Sequence, residues 1–90
     1  MAWQIDWDAG ATRELNKLDR QTQRQIIDYF DDRIAKCDDP RDFGEPLTGD
    51  LKGFWRYRIG DYRVICQIKA ARLNVLVVRV GHRSQIYAKK

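Results

Sequence analysis

The sequence has few cysteines and histidines, the residues with which small proteins form disulfides or bind metals in place of a large hydrophobic core. Its 90 residues include two cysteines, one histidine and one methionine. Cys37 and Cys66 lie far apart, and neither belongs to a Cys-x-x-Cys pair or to a Cys/His cluster with the spacing of metal ligands. The pattern therefore predicts two reduced structural thiols in a cytoplasmic protein and no metal site at these cysteines, and we expect no cofactor.

Long apolar runs are also absent. The first residues, MAWQIDWDAG, contain no basic segment followed by an apolar one, and no later stretch approaches the roughly 18 apolar residues of a membrane span. We expect neither export nor membrane insertion. The chain is 43% hydrophobic and 33% charged, and its length is sufficient for one globular domain over residues 1–90.

Acidic residues are scarce in the second half of the chain. Residues 1–50 contain 7 Lys/Arg and 12 Asp/Glu, whereas residues 51–90 contain 10 Lys/Arg and Asp61 as their single acidic residue. A basic half joined to an acidic half predicts a surface that binds a polyanion. The alternative is a solvated basic face without a ligand, because basic surfaces also promote solubility.

The first half predicts one strand followed by two helices. Residues 2–7, AWQIDW, alternate apolar and polar side chains, as in a half-buried strand. Asp8 and Asp19 then provide N-caps for successive helices, of which the second, at about residues 20–37, carries an apolar stripe. Residues 38–53 contain both prolines and three of the glycines, which is typical of a long irregular loop with room for one helical turn.

The second half predicts three strands, at FWRYRI, YRVICQIK and RLNVLVVRVG. Residues 73–80 are apolar at nearly every position, which indicates a central strand buried on both faces. The resulting order is β-α-α-β-β-β, with a short strand or tail at RSQIYAKK. We expect an α+β fold in which two helices pack on one face of a small, mostly antiparallel sheet.

The first two of these strands form a hairpin with arginines on one face. Gly60-Asp61 is a two-residue loop with glycine first, which predicts a type II′ turn. This turn places Arg58 opposite Arg63. Because successive side chains alternate between faces, both of them share one face with Arg56, and the apolar residues face the helices.

Opposed arginines are not expected to stabilise a sheet. Like charges facing each other cost a few tenths to about 1 kcal/mol. The side chains could extend over the sheet or pair with carboxylates, but after Asp50 the chain offers only Asp61. A cationic face that receives a phosphate explains the pattern better, because guanidinium groups match phosphate oxygens bidentately. We therefore expect a nucleic acid ligand.

The C-terminal stretch VGHRSQIY adds His82, Arg83 and Tyr87 after the last strand. The position of His82 beside an arginine at a strand end favours a functional role, although a structural or merely exposed imidazole is the alternative. Tyr87 can stack on an RNA base or cover the edge of the core. The three tryptophans fall on apolar faces, which favours core packing.

The segments LKGFWRYRIGDYRVICQI and LVVRVGHRSQIY resemble the RelE toxin family of the RelE/ParE superfamily. The resemblance covers the order of elements over the whole chain and is most specific from Leu47 to Tyr87. It implies the toxin of a type II toxin–antitoxin pair with a RelE-like fold. It also implies a ribosome-dependent endoribonuclease that cuts the mRNA codon in the A site without a metal, leaving a 2′,3′-cyclic phosphate and a 5′-hydroxyl.

The same resemblance implies partners and site residues. The partners are a RelB-like cognate antitoxin, in a toxin–antitoxin hetero-oligomer, and the ribosomal A site with its mRNA and small-subunit rRNA. Carried over position by position, the family's site falls on Arg56, Arg58, Arg63, Arg83 and Tyr87. To this catalytic set we add His82, and we expect RNA binding by Lys52, Arg56, Arg58 and Arg79.

Five of these residues have an expected role in the reaction. Arg58 and Arg63 hold the scissile phosphate, Tyr87 orients the nucleotide, and His82 or Arg83 transfers a proton. Some relatives have lysines where this chain has Arg56 and Arg58. Lysine can be tuned into a general base whereas arginine stays protonated, so the sequence leaves the base open.

Two other functions remain open at this point. The ParE branch of the superfamily poisons DNA gyrase without such a ribonuclease site, and the fold does not separate it from RelE. A basic RNA-binding module without catalysis would grip phosphates but leave the strand intact.

Overall fold

The computed structural model describes residues 2–86, and every element below lies in this range. The strands are β1 (Gln4–Trp7), β2 (Glu45–Pro46), β3 (Trp55–Ile59), β4 (Tyr62–Lys69) and β5 (Asn74–His82). The α-helices are α1 (Ala9–Asn16) and α2 (Arg20–Asp28), and short 3-10 turns occupy Pro40–Asp42, Gly49–Leu51 and Ala70–Arg72. The predicted α+β class is confirmed, and β2 is an addition to the predicted order.

Both predicted N-caps are present. The Asp8 carboxylate accepts a hydrogen bond from the Ala11 amide at 2.8 Å, and that of Asp19 accepts one from the Thr22 amide at 3.2 Å. Each carboxylate satisfies an amide that has no partner within its helix. The two helix starts are thus fixed by local chemistry.

The second helix is shorter than predicted. α2 ends at Asp28 and continues as a wider π-helical turn over Tyr29–Ile34, in which the Ala35 amide donates to the Phe30 carbonyl five residues back. Residues 35–37 are not helical. The prediction that the helix continues to about residue 37 was wrong. Over so short a length, an apolar stripe does not distinguish a π-helical turn from an α-helical one.

The strands lie in the order β1-β5-β4-β3-β2. β1 pairs with β5 in parallel, and every other pair is antiparallel, which confirms the predicted sheet. The hairpin register is also confirmed, since Arg58 lies opposite Arg63. Gly60 has a φ of +59°, as the first position of a type II′ turn requires.

Two predictions about the strands were wrong. Residues 38–53 are not wholly irregular, because Glu45 and Pro46 pair with β3; two residues are too few to give a period-two pattern. The strand at 73–80 is not buried on both faces, since Val75 and Val77 are fully buried while Leu76 is half-buried and Arg79 is exposed. The physical reason is that the helices cover one face of the sheet and leave the other open.

The core lies between the helices and this covered face. It contains Trp3, and Trp7 and Trp55 pack against it, as their positions on apolar faces predicted. Cys66 is buried and Cys37 half-buried, and both are free thiols. Burial raises the pKa of the Cys66 thiol. None of the helices formed by residues 2–86 has the length and apolar character needed to cross a bilayer.

Phe30 is the aromatic centre of the core. It is fully buried and makes edge-to-face contacts with the rings of Trp7, Tyr29 and Tyr57, at centroid distances of 5.7, 5.7 and 5.4 Å. Phe30→Ala should lower the free energy of unfolding by about 3–5 kcal/mol, because it leaves a cavity among rigid rings. Denaturant unfolding measures the loss. Phe43→Ala, at an exposed phenylalanine, is the control and should cost less than about 1 kcal/mol; equal losses would contradict this view of the core.

Candidate nucleic-acid interface

The open face of the sheet carries the hairpin arginines. Tyr57 and Ile59 are buried on the helix side, so the alternating residues of β3 face the other way. Arg56 and Arg58 lie on this open face, and Arg63 joins them from β4. We call these three residues the arginine cluster.

A carboxylate that the sequence did not predict lies within the arginine cluster. β2 pairs Glu45 with Arg56, whose Nε donates to Glu45 Oε1 at 2.9 Å and whose Nη2 contacts the same oxygen. Arg58 Nε lies 3.5 Å from that oxygen. The hydrogen bond from Arg56 and the charges of Arg56, Arg58 and Arg63 hold the pKa of Glu45 below its usual value of 4.5.

Glu45 corrects the sequence argument in one respect. The sequence argument counted only the carboxylate of Asp61, because it considered the chain after Asp50, whereas this acidic partner comes from the preceding loop. Among residues 2–86, three guanidinium groups against this one carboxylate leave a net positive charge. The Arg56 side chain is only 25% exposed and holds Glu45, while the Arg58 side chain is 62% exposed. Arg58 is thus the more accessible of the two for a phosphate.

Arg63 lies along the hairpin turn. Its Nη1 donates to the carbonyls of Gly60 at 3.0 Å and Tyr62 at 2.9 Å. A guanidinium has five N–H donors, and both of these bonds use one nitrogen. The turn therefore fixes the direction of the side chain beside Arg58, which is directly opposite in the sheet.

The backbone of Arg83 is hydrogen-bonded to the same hairpin turn. Its amide donates to the Asp61 carbonyl at 2.8 Å, and its Nε lies 3.8 Å from the Asp61 carboxylate. Both side chains are more than 60% exposed, so this ion pair is weak. Arg58, Arg63 and Arg83, from separate segments of the chain, thus lie around one end of the sheet.

His82 lies on the other face of the sheet. It pairs with Tyr62, whose ring it meets edge-to-face at 5.5 Å, whereas Arg63 pairs with Gly81. The Nδ1 atom of His82 accepts a hydrogen bond from the Ser84 amide at 3.1 Å. Its predicted role in proton transfer therefore requires the RNA to pass round the end of the hairpin.

The remaining predicted residues lie farther away or outside the described range. Arg79 lies two strands from Arg56, and its Nε contacts Glu14 at 3.2 Å, so a phosphate would have to compete with this carboxylate. Lys52 is exposed at the end of β3 away from the hairpin turn. Tyr87 lies outside the described residues.

Within residues 2–86, no group of three or more His, Cys, Asp or Glu side chains is placed to hold a metal ion.

The sequence is similar to characterised toxins over nearly its whole length. A family model described as "ParE toxin of type II toxin-antitoxin system, parDE" matches residues 5–87. Toxin RelG of Mycobacterium tuberculosis is 28% identical over 87 residues, covering 97% of this chain and 98% of RelG. Toxin RelE of the same organism is 29% identical over 79 residues, covering 88% of this chain and 79% of that toxin.

Solved structures of toxins are also similar to this chain. The toxin–antitoxin complex RelBE2 from M. tuberculosis contains a chain with a TM-score of 0.85 and 25% identity, covering 92% of this chain and 100% of that one. E. coli toxin RelE in the free state, a mutant, has a TM-score of 0.74 at 22% identity, covering 97% of this chain and 92% of that one, and shows the common fold. Because the family model spans residues 5–87, the chain belongs to the RelE/ParE superfamily and is a toxin of a type II toxin–antitoxin system.

Proposed function

We propose that this toxin is a ribosome-dependent endoribonuclease that cleaves the mRNA codon in the A site and so inhibits translation. The observation that carries the proposal is the arginine cluster on the open face, in which Arg58 is largely exposed and Glu45 is the one carboxylate that the described residues place in contact. Toxins of the RelE family are generally endoribonucleases, and the RelG and RelE toxins are similar in sequence to this chain. A cytoplasmic location is part of the proposal, because translation takes place there.

The arginines act on the phosphate. Arg58 and Arg63 bind the oxygens of the scissile phosphate and stabilise the negative charge that grows on them as the nucleophile attacks. Arg83, at the same end of the sheet, adds a third cation. Tyr87 orients the nucleotide, and Lys52 and Arg79 contact flanking phosphates of the mRNA or the small-subunit rRNA.

Glu45 accepts the proton. The 2′-hydroxyl oxygen bonds to the adjacent phosphorus, its proton passes to the Glu45 carboxylate, and the bond from phosphorus to the 5′-oxygen breaks. The leaving oxygen takes a proton from His82 or Arg83, which gives a 2′,3′-cyclic phosphate and a 5′-hydroxyl. Arginine stays protonated and cannot serve as the base. The hydrogen bond from Arg56 and the neighbouring arginine charges keep the Glu45 carboxylate ionised, and by lowering its pKa they also make it a weaker base than an ordinary glutamate.

An antitoxin partner belongs to the same proposal. The RelBE2, E. coli RelBE and archaeal RelE–RelB structures are toxin–antitoxin complexes. A RelB-like segment that places acidic side chains on the arginine cluster would occupy the phosphate position and block the site. Binding should then weaken as salt rises and when Arg58 is replaced by alanine.

Mapping mRNA 5′ ends after brief induction tests the activity. The expected result is new 5′ ends within codons of translated messages, and none when translation is blocked before induction. The name ParE in the description of the family model keeps the ParE branch, which poisons DNA gyrase, as the rival function. A DNA-damage response with intact mRNA would favour that rival, and salt-sensitive RNA binding without strand scission would favour a non-catalytic RNA-binding module.

A further inference from the structure

The loop that carries Glu45 is attached to a buried tyrosine on the helix side of the sheet. Tyr57 is fully buried, and its hydroxyl donates to the Pro40 carbonyl at 2.7 Å. Pro40 is itself buried. Burial raises the pKa of Tyr57, so the phenol remains protonated and keeps donating this bond. The hydroxyl thereby fixes the loop about five residues before Glu45.

The ring of the same tyrosine fixes the residue that precedes Glu45. A Cβ atom at Gly44 would lie 3.1 Å from Tyr57 Cζ, 3.2 Å from Cε1 and 3.4 Å from the Arg56 carbonyl oxygen. The two distances to the ring are shorter than ordinary contacts, and a buried ring has little freedom to move. Glycine therefore lets β2 approach β3 closely at this point.

Together these contacts set the position of the Glu45 carboxylate. Gly44 immediately precedes Glu45, and Tyr57 immediately follows Arg56, the residue that pairs with Glu45. A shift of the loop relative to Tyr57 would thus be a shift of the carboxylate relative to Arg56 and Arg58. Misplacement by about 1 Å is enough to cost a catalytic group much of its effect.

We propose that Tyr57, together with the absence of a side chain at Gly44, positions Glu45 for proton transfer. The Tyr57 side chain does so from the helix side of the sheet, without reaching the open face that carries the arginine cluster. This inference rests on the proposed role of Glu45 as the base. Tyr57 is in this sense a positioning residue, acting through Glu45 and not on the substrate.

Tyr57→Phe and Gly44→Ala test the inference by separate routes. The first removes the hydrogen bond to Pro40 but keeps the ring, and the second pushes β2 away. In single-turnover cleavage on programmed ribosomes, each should lower the maximal rate by about 10-fold. The toxin concentration that gives half-maximal rate should stay within about 2-fold, because the phosphate-binding arginines are unchanged.

A double-mutant cycle separates positioning from a general effect on the fold. If Tyr57 acts through Glu45, then Tyr57→Phe should cause no further loss in a Glu45→Gln background. Ile26→Val, in the core on α2, is the control for lowered stability and should cleave at the wild-type rate. Melting temperatures of all variants show that the compared proteins are folded. If Gly44→Ala does not fold, the cycle with Tyr57→Phe still gives the answer.

Three results would overturn the inference. Wild-type cleavage by Tyr57→Phe would show that the hydrogen bond does not matter for the reaction. An equal loss from Tyr57→Phe in the wild-type and Glu45→Gln backgrounds would show an action independent of Glu45. Both results would leave the proposed base intact. Wild-type cleavage by Glu45→Gln itself would instead reject the base, and with it the inference.

Discussion

Replacing Glu45 with glutamine should lower the rate of mRNA cleavage by about 10²–10⁴-fold, the usual contribution of a general base. RNA affinity should be unchanged or higher. The glutamine amide has nearly the same shape as the carboxylate but does not accept the proton. It also removes the negative charge that partly offsets Arg56 and Arg58. Cleavage should therefore fall while binding does not.

Single-turnover cleavage on programmed ribosomes measures the rate, and binding of the toxin to the same ribosomes measures the affinity. Glu14→Gln is a matched control, because Glu14 also pairs with an arginine, Arg79, and is similarly part-exposed. It should cleave at the wild-type rate. Undiminished cleavage by Glu45→Gln would show that the base lies elsewhere. A parallel loss of affinity would indicate that Glu45 serves only to organise the arginines.

Replacing Arg58 with alanine should lower the cleavage rate by about 10²–10³-fold, the usual cost of removing one donor that stabilises charge in the transition state. The loss should appear in the rate at saturation as well as in binding. Arg58→Lys should recover part of the rate, because a lysine keeps the charge but loses the planar pair of donors. Since the Arg58 side chain is largely exposed, neither variant should lower the melting temperature much.

Arg24→Ala is the control for net charge, because Arg24 is an exposed arginine on α2, on the helix side of the sheet. It removes the same charge and should cleave normally. Arg63→Ala should behave like Arg58→Ala, although it also removes two hydrogen bonds to the turn carbonyls. If Arg58→Ala and Arg63→Ala both cleaved as fast as the wild type, the arginine cluster would not be the active site.

Part of the candidate site follows from short-range signals in the sequence. The glycine-first turn at Gly60-Asp61 and the alternation of side chains along a strand gave the pairing of Arg58 with Arg63, and the structure has that pairing. The two aspartate caps were predicted for the same reason. In each case the deciding groups lie within a few residues of one another, so the local backbone carries the information.

The carboxylate in the arginine cluster could not be predicted in this way. Glu45 reaches Arg56 through a strand of two residues, which carries no periodic signal, and the pair is separated by eleven positions in the chain. The pairing of Arg79 with Glu14, 65 positions away, was likewise not visible in the sequence. Contacts of this kind depend on how the loop and α1 pack against the sheet.

The amino-acid sequence alone determined the order of the main elements, the register of the hairpin and the presence of cations on one of its faces. Only the tertiary structure decided which of those cations meets a carboxylate and that His82 lies on the opposite face from Arg63. The physical reason is that turn geometry and side-chain alternation act between near neighbours. The surroundings of each charge depend instead on segments that are distant in the chain and meet only when the core is formed.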